Sequence, residues 1–427
     1  MPLEAPAVAG LDHVLGLQCL VCATSWSPDE VVDVCPTCGD DGILDVRYDH
    51  AAIAARTTRD DLQANPDPSM WRWLPLLPVR ADSPRPPLRV GGTPLYDVPR
   101  LAELAGLTQV WVKDEGVQPT GSLKDRASAV AVVKARERGA AVVTTASTGN
   151  AAAALAGVAA AVEQATVIFV PAAAPEAKVA QLLAYGATVL LVDGTYDDAV
   201  VLCRAASREF GWYDRTTGRN PYMSEGKKTA AFELAEQLGW QVPDVVAVGV
   251  GDGCIIGALD KGFRDLLALG WIDRLPRLLG VQATGSAYLA DAWRDGADVL
   301  TKPAIAAHTV ADSISAGLPL DRLKAMRAVT ETGGAFVTVD DDAILAAIPV
   351  LARASGVFAE PAAAAAWAGV QRAAFDGVLD PGDRVAVLST GTGLKDVAAA
   401  TRAVAAAGGR AHHVPLDLDA VAKVVTP

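Results

Sequence analysis

The sequence of 427 residues predicts an α/β protein with parallel sheets, preceded by a small ribbon that four cysteines hold together. Short β-rich runs alternate with longer helical stretches along most of the chain, an order typical of parallel strands with helices on both faces. Hydrophobic residues make up 51% but aromatic residues only 5%, so we expect a core built mainly of Ala, Val and Leu. Two Cys-x2-Cys pairs lie ahead of this pattern, near the N-terminus.

The four N-terminal cysteines have the spacing of a structural zinc site. Cys19 and Cys22 form one pair and Cys35 and Cys38 the other, with 12 residues between the pairs. Each pair can turn two thiolates toward one tetrahedral ion, and four sulfur ligands leave no coordination position open. Disulfides, redox-active thiols or a site without metal are the alternatives, and disulfides are the weaker interpretation in a cytosolic protein. We therefore expect Zn²⁺ in a structural role, with partner docking as a further role for the ribbon.

A connector and then a regular alternation of strands and helices follow the ribbon. Residues 60–89 are rich in Pro and Asp and predict an irregular connector. The predicted strands are the short apolar runs at 110–113, 141–145, 165–170, 188–192, 245–250, 278–283 and 385–388. The predicted helices include residues 122–138, 175–185, 196–210, 228–238 and 361–375. Because such sheets bind ligands at the carboxyl ends of their strands, the turns after the strands are the candidate site.

Charge and hydropathy argue against several classes of function. Lys and Arg number 37 against 50 Asp and Glu, and the net charge of −13 makes nucleic acid and anionic lipid poor partners. The longest stretch without a charge, residues 139–162, is interrupted by a polar turn, so we predict a strand, a turn and a helix rather than a membrane span. The first residues lack a basic start and an apolar run, which predicts no signal peptide and a cytoplasmic protein.

The first polar turn carries a candidate catalytic lysine. Thr120 or Ser122 can cap the helix that follows, which places Lys124 in its first turn. The positive end of the helix disfavours a charged ammonium there and lowers the pKa of the lysine, as a Schiff-base amine requires. An ordinary solvated lysine is the alternative, and this turn alone favours it.

Two further turns can bind anions through backbone N–H groups. Ser147, Thr148 and Gly149 leave one predicted strand and open an Ala-rich helix, where they can hold a carboxylate or simply cap the helix. The sequence GVGDGCIIG at residues 249–257 follows another apolar strand and resembles a phosphate cradle. A lone glycine loop is weak evidence, and this one lies too late in the chain for a dinucleotide fold.

Six motifs occur between residues 91 and 396 in an order that resembles threonine synthase. They are GGTPL at 91–95, PTGSLKDR at 119–126, ASTGN at 146–150, NP at 220–221 with EGKKT at 225–229, FAEPA at 358–362 and TGTGLKD at 390–396. A four-cysteine ribbon ahead of the body occurs in some members of that family. The resemblance implies a two-lobed pyridoxal phosphate enzyme of fold type II and a homodimer.

The resemblance also implies a role for each matching residue. Lys124 corresponds to the lysine that binds pyridoxal phosphate and later moves protons at the substrate carbons. Asn150 would bind the 3-oxygen of the cofactor, and Thr390 would face its pyridine nitrogen. The substrate carboxylate would bind at Ser147, Thr148 and Gly149, and the cofactor phosphate at the backbone of Gly251, Asp252, Gly253, Cys254 and Ile255. A neutral hydroxyl at the pyridine nitrogen implies elimination or replacement rather than transamination.

The sequence departs from the family where the substrate phosphate of O-phosphohomoserine is bound. Threonine synthases have Thr, Ser and Arg at positions that read Ala151, Gly218 and Met223 here. Each missing charge-assisted hydrogen bond is worth about 1.5 to 3 kcal/mol. Arg219 and Lys227 lie nearby and are candidates to compensate.

We therefore predict a pyridoxal phosphate lyase or synthase that performs β- or γ-elimination or replacement on a small α-amino acid, with an altered substrate. The alternatives are a true threonine synthase, a β-replacement enzyme with a phosphoserine-like donor, a dehydratase or ammonia-lyase, and a non-catalytic relative that binds a partner. The predicted domains are a zinc ribbon at residues 1–50, a large cofactor-binding domain at 51–125 and 240–427, and a small substrate-side domain at 126–239. The segment 309–315 (TVADSIS) could form a new side-chain pocket, although a helix cap explains it equally well.

Overall fold

The strands of the protein form three separate sheets. The computed structural model describes residues 11–31 and 33–425. The strands are β1 Val14–Cys19, β2 Ser25–Trp26, β3 Leu44–Tyr48, β4 Leu95–Asp97, β5 Gln109–Asp114, β6 Val142–Ala146, β7 Ala165–Pro171, β8 Thr188–Val192, β9 Tyr213–Asp214, β10 Val245–Gly249, β11 Arg277–Ala283, β12 Ala335–Val339 and β13 Arg384–Ser389.

Helices connect most of these strands. They are α1 His50–Ala54, α2 Arg59–Ala64, α3 Pro99–Ala105, α4 Lys124–Glu137, α5 Asn150–Ala160, α6 Glu176–Ala184, α7 Tyr196–Phe210, α8 Met223–Lys227, α9 Thr229–Gln237, α10 Cys254–Ala268, α11 Tyr288–Asp295, α12 Arg322–Glu331, α13 Asp341–Ser355, α14 Pro361–Phe375, α15 Val397–Ala406 and α16 Leu418–Val425. Short 3-10 helices lie at Gly39–Asp41, Met70–Leu76, Glu115–Val117, Thr284–Ser286, Asp312–Ile314 and Gly393–Lys395.

The N-terminal sheet is small and antiparallel, with strand order β2-β1-β3. Its first strand ends at Cys19, so a cysteine pair begins where the sheet stops. The sheet lies against the main body, where Tyr48 donates a 2.5 Å hydrogen bond from its hydroxyl to Glu225 of α8. Lys261 of α10 pairs with Asp45 of β3 at 2.7 Å. The ribbon is therefore packed onto the body.

The largest sheet has six strands in the order β12-β11-β10-β13-β5-β4. All pairings are parallel except the edge pair of β4 and β5. Every residue of β10 is buried, as expected for a central strand with helices on both faces. The Ala-rich helix α14 packs on this sheet, where a methyl group on Gly369 would lie 2.2 Å from a Val281 side-chain carbon. Small residues here allow the helix and the sheet to approach closely.

The third sheet has four parallel strands in the order β8-β7-β6-β9. Helices α5 and α7 pack against it, and five of the eleven residues of α5 are buried alanines. Its strands come from residues 142–214, whereas the six-stranded sheet takes its strands from residues 95–114 and 245–389. The domain boundaries at residues 125 and 240 stay a prediction, and residues 1–10 of the predicted ribbon lie outside the described residues.

The predicted α/β fold class is confirmed, and each predicted strand overlaps an observed one. The prediction of an irregular connector at residues 60–89 was wrong in part. The start of this segment forms α2, which begins with a capping box between Thr58 and Asp61, and its middle forms the helix Met70–Leu76. Trp71 and Trp73 are buried there, so a Pro-rich composition concealed a segment that fills the core. No helix in the described ranges is long and apolar enough to cross a membrane.

Candidate active site

A cavity of about 690 Å³ lies between the four-stranded and the six-stranded sheet. Residues at the carboxyl ends of β6, β9 and β10 line it. Its size is in the usual range for a cofactor or small-molecule site. The cavity brings together most of the predicted site residues, namely Lys124, Ser147, Thr148, Gly149, Asn150, Gly251, Asp252, Gly253, Cys254 and Ile255. Thr390 is not among the lining residues. It follows β13 directly, and its carbonyl oxygen accepts a 2.9 Å hydrogen bond from the N–H of Leu123, beside Lys124.

Lys124 is the first residue of α4, and the loop before it is held on two sides. The N–H of Thr120 donates a 2.7 Å hydrogen bond to the carboxylate of Asp125, and the N–H of Thr392 bonds the carbonyl of Gly121 at 3.0 Å. Burial and, as the next cause, the positive charge of Lys227 lower the pKa of Lys124 to about 8. The sequence predicted this direction from the helix end, but burial is the larger cause. A lysine with such a pKa has a substantial neutral, nucleophilic fraction near neutral pH.

A buried ion network anchors the helix that carries Lys124. The guanidinium of Arg126 donates to Glu115 at 2.8 Å and to Glu233 at 2.7 Å, and Lys113 donates to Glu233 at 2.8 Å. All four side chains are almost completely buried, and two cations balance two anions. Removing one partner from such a network leaves an uncompensated buried charge. In the KDR part of the lysine motif, residues 124–126, the third residue therefore holds the helix in place.

The second turn lies between β6 and α5 and opens toward the cavity. The N–H of Gly149 donates to the hydroxyl of Ser147 at 3.2 Å, and no side chain would meet a methyl group placed on Gly149. The side-chain nitrogen of Asn150 donates to both carboxylate oxygens of Glu360 at 2.8 and 3.0 Å. The role of Asn150 toward a cofactor oxygen stays a prediction. Glu360 belongs to the FAEPA motif, but the sequence assigned it no role, and burial raises the pKa of its carboxyl group.

The third turn forms a glycine cradle at the start of α10, a helix of 15 residues whose first turn has no side-chain cap. A methyl group on Gly251 would lie 2.8 Å from the backbone of Ile314, and Gly253 has a φ of +92°. A methyl group on Gly253 would also lie 2.7 Å from Ala325, and only glycine combines such a close approach with a positive φ. The free N–H groups and the positive end of the helix fit an anionic group such as a phosphate. Burial raises the pKa of the Asp252 carboxyl group in this turn.

The two cations that the sequence proposed as phosphate ligands are engaged elsewhere. Arg219 donates to Asp33 at 2.7 Å and to Asp40 at 2.5 Å in the ribbon, and Lys227 donates to the sulfur of Cys254 at 2.8 Å. Neither side chain is among the residues that line the cavity. The geometry therefore does not support the hypothesis that Arg219 and Lys227 replace the missing contacts to the substrate phosphate.

Arg215 is a cavity residue that the sequence analysis missed. It follows β9, is 1% exposed and lines the cavity together with Thr216 and Thr217. Within the described part of the chain, its Nε and one of its terminal nitrogens have no hydrogen-bond partner. The only hydrogen bond of its side chain there is a 3.4 Å contact to the carbonyl of Ala151. Burial lowers the pKa of Arg215 to about 10, so it still carries a positive charge at neutral pH.

Gly218 and the segment 309–315 were also singled out from the sequence, and their contacts are as follows. A methyl group on Gly218 would lie 2.3 Å from a side-chain atom of Leu320, so a serine cannot replace this glycine without movement. Asp312, Ser313 and Ser315 of the segment 309–315 do line the cavity. Asp312 also forms a 2.9 Å ion pair with Lys178 of α6.

The four ribbon cysteines lie together, with ligand atoms within 4.8 Å of one another. Cys19 and Cys35 are buried, and a methyl group on Gly42 would lie 2.7 Å from the side chains of Cys35 and Cys38. Four sulfur donors in one cluster fit a tetrahedral Zn²⁺ ion. Cys203 and Cys254 are buried outside this cluster.

Comparisons with known proteins agree with this geometry. The sequence profile of the family described as pyridoxal-phosphate dependent enzymes matches residues 87–391. The threonine synthase of Methanosarcina acetivorans is 42% identical over 383 residues, which are 89% of this chain and 92% of that protein. The threonine synthase of Methanocaldococcus jannaschii is 38% identical over 90% of this chain and 94% of that protein.

Solved structures share the fold at lower identity. The processed form of threonine deaminase isoform 2 from Solanum lycopersicum matches with a TM-score of 0.64 at 22% identity, over 74% of this chain and 83% of that one. Diaminopropionate ammonia lyase from Escherichia coli matches with a TM-score of 0.63 at 18% identity, over 81% and 92% of the two chains.

Proposed function

We propose that this chain, which belongs to the family of pyridoxal-phosphate dependent enzymes, eliminates or replaces a group at the β- or γ-carbon of a small α-amino acid. The observation that carries this proposal is the cavity itself. It places a half-buried lysine of lowered pKa at one wall and an uncapped helix start with a glycine cradle at another. When bound, pyridoxal phosphate supplies an electron sink that makes the α-proton of an amino acid removable.

Different residues of the chain bind the cofactor, bind the substrate and move the proton. The backbone N–H groups of residues 251–255 bind the cofactor phosphate, and Ser147, Thr148 and Gly149 bind the substrate carboxylate. The Nζ atom of Lys124 would hold the cofactor, and as a neutral amine it is the base placed to take the proton from the α-carbon of the substrate. Asn150 and Thr390 orient the cofactor ring.

We further propose that the substrate side chain ends in an anion, with O-phosphohomoserine as the first candidate. The threonine synthases at 42% and 38% identity support that candidate. Arg215 supports it independently, because a buried guanidinium with unused donors faces the cavity. An arginine fork suits two oxygens of a phosphate.

An altered substrate remains the second candidate, and the nonpolar Ala151 in the cavity wall favours it. A phosphoserine-like donor has the same anion on a shorter chain. Turnover of O-phosphoserine without turnover of O-phosphohomoserine would select the second candidate, and the reverse result would select threonine synthesis.

The Lys124→Ala variant tests the reaction class. We expect it to fold and to lose both the visible cofactor absorbance and the turnover, because no other side chain among the described residues that line this cavity offers an amine. A wild-type protein that stays colourless after addition of pyridoxal phosphate would contradict the proposal.

The Arg215→Met variant tests the anion site. Loss of one or two charge-assisted hydrogen bonds predicts an increase in KM for O-phosphohomoserine of about 10- to 100-fold, and a similar loss of inhibition by inorganic phosphate. Arg208→Gln, on the exposed side of α7, is the matched control and should leave both values unchanged. Unchanged KM and phosphate inhibition in Arg215→Met would show that Arg215 does not bind the substrate.

Zn²⁺ at the four cysteines, a homodimer and a cytoplasmic location complete the proposal. The cysteine cluster supports the zinc site. Light scattering of the purified protein tests the dimer, for which we expect twice the chain mass of 44.0 kDa.

A further inference from the structure

Three aspartates of the ribbon, Asp33, Asp40 and Asp41, reach arginines of the main body, and we name these three residues the aspartate clamp. Asp33 accepts from Arg219 at 2.7 Å. Asp40 accepts from Arg219 at 2.5 Å and, with both oxygens, from Arg204 at 2.6 Å. Asp41 accepts from Arg322.

The three arginines stand on different sides of the cavity. Arg204 lies on α7, which covers the four-stranded sheet. Arg219 follows the segment 215–217 that lines the cavity. Arg322 begins α12, which packs on α10 at the six-stranded sheet, and it follows Leu320, a lining residue. The aspartate clamp therefore bridges the two halves of the cavity wall.

The bridge also reaches the glycine cradle. Asp321, next to Arg322, donates its N–H to the carbonyl of Asp252 at 2.9 Å, and a methyl group on Gly253 would lie 3.0 Å from the carbonyl of Asp321. Movement of the start of α12 would therefore change the shape of the cradle.

The body arginines depend on these contacts. The side chains of Arg219 and Arg322 are only 6% and 7% exposed, whereas the carboxylates of Asp33 and Asp41 are 41% and 51% exposed. A buried guanidinium that loses a carboxylate partner keeps a charge that is less well compensated, which favours local opening.

The aspartate clamp is continuous with the second cysteine pair. Asp40 and Asp41 belong to the 3-10 helix Gly39–Asp41, which follows Cys38 directly. The N–H of Cys35 bonds the carbonyl of Gly42 at 2.8 Å, and the N–H of Gly39 bonds the carbonyl of Cys35 at 2.9 Å. The turn that holds two of the four sulfurs thus also holds two of the three carboxylates.

We propose that the aspartate clamp positions the two halves of the cavity relative to each other, and that a metal ion at the four cysteines sets the geometry of the clamp. Asp33, Asp40 and Asp41 are positioning residues, since they touch no reacting group. The ribbon metal is thereby linked to the active site through two short steps, from sulfur to carboxylate and from carboxylate to arginine.

Hydrogen–deuterium exchange of the purified holoenzyme tests this proposal without any substrate. In Asp40→Asn and in Asp41→Asn, we expect about tenfold faster exchange in residues 215–222 and 318–325 respectively, equivalent to about 1.4 kcal/mol of easier opening. The metal content should stay unchanged. KM should rise more than kcat falls, because the reacting groups remain in place. Asp29→Asn, an exposed ribbon position, is the matched control and should exchange like the wild type.

Metal removal by a chelator supplies the second arm and should accelerate exchange in both segments together. Wild-type exchange in both aspartate variants would overturn the positioning role. Wild-type exchange in the metal-free protein, or wild-type protein with less than about half an equivalent of zinc, would overturn the link to the metal. The exchange measurements of both arms require no turnover, so a failure there is separate from a failure of the proposed reaction.

Discussion

At the scale of single residues, the reactivity of Lys124 comes from its surroundings. Burial removes water from its ammonium group, and Lys227 adds a second positive charge nearby, so both effects favour the neutral amine. Asp252 and Cys254 oppose this shift, but they leave the pKa at about 8. Lys227 itself is held by the sulfur of Cys254, which keeps its charge in a fixed place.

This arrangement predicts the pH dependence of cofactor attachment. Because only the neutral amine is nucleophilic, capture of pyridoxal phosphate by the apoprotein should rise with pH and reach half its maximum near pH 8. Borohydride reduction followed by peptide mass spectrometry measures it at Lys124. In Lys227→Met the midpoint should move upward, since a cation that lowers the pKa is gone. Lys124→Ala gives the background, and an unshifted midpoint in Lys227→Met would contradict the role of that charge.

The orientations of two arginine side chains could not be predicted from the sequence. Arg215 and Arg219 are four residues apart, and the motif drew attention to Arg219 because it adjoins the Asn-Pro pair. The structure turns Arg219 toward the ribbon and Arg215 into the cavity. The partner that occupies Arg219 lies more than 170 residues away, at Asp33 and Asp40, so no local pattern could identify it.

At the scale of elements, the site is built from strand ends followed by helix starts. These units were predictable, because apolar runs of five residues and Gly-bearing turns are local signals. Helix starts were less accurate, since α4 begins at Lys124 rather than at residue 122. Helix α2 and the short helix Met70–Leu76 were missed because Pro and Asp dominate the composition around their buried side chains.

The glycine cradle gives a prediction at this scale. Gly253→Ala should weaken binding of pyridoxal phosphate by at least about tenfold, because its methyl group would lie 2.7 Å from Ala325 and 3.0 Å from the carbonyl of Asp321. Gly239→Ala is the matched control, with a φ of +64° but no atom within 4 Å. Both variants should lose about 1 to 2 kcal/mol of stability from the left-handed backbone, but only Gly253→Ala should lose affinity as well. Equal cofactor affinity in the two variants, measured by absorbance titration, would show that the cradle tolerates a side chain.

At the scale of the whole molecule, alternating strands and helices made the fold class predictable, but the way the ribbon docks was not. The ribbon is held by contacts such as Tyr48 with Glu225, Asp45 with Lys261 and the carbonyl of Val31 with Arg138. Each of these pairs joins residues more than 100 positions apart in the sequence. Cysteine spacing alone could suggest a metal site, but not that the acidic turn beside it would pair with arginines of the main body.

The cysteine cluster leads to a prediction for the stability of the entire chain. The wild type should contain about one equivalent of zinc, and Cys38→Ser should contain less than about half, because three thiolates bind the ion more weakly than four. Its unfolding temperature should fall, since the binding free energy of a structural metal is part of the folding free energy. Cys203→Ser is the control, because Cys203 is buried against the four-stranded sheet and outside the cluster. It should keep its zinc even if the new hydroxyl destabilises the core. Metal analysis measures the zinc content, and calorimetry measures the unfolding temperature. Full zinc content in Cys38→Ser would mean that the cluster does not hold the ion through this sulfur.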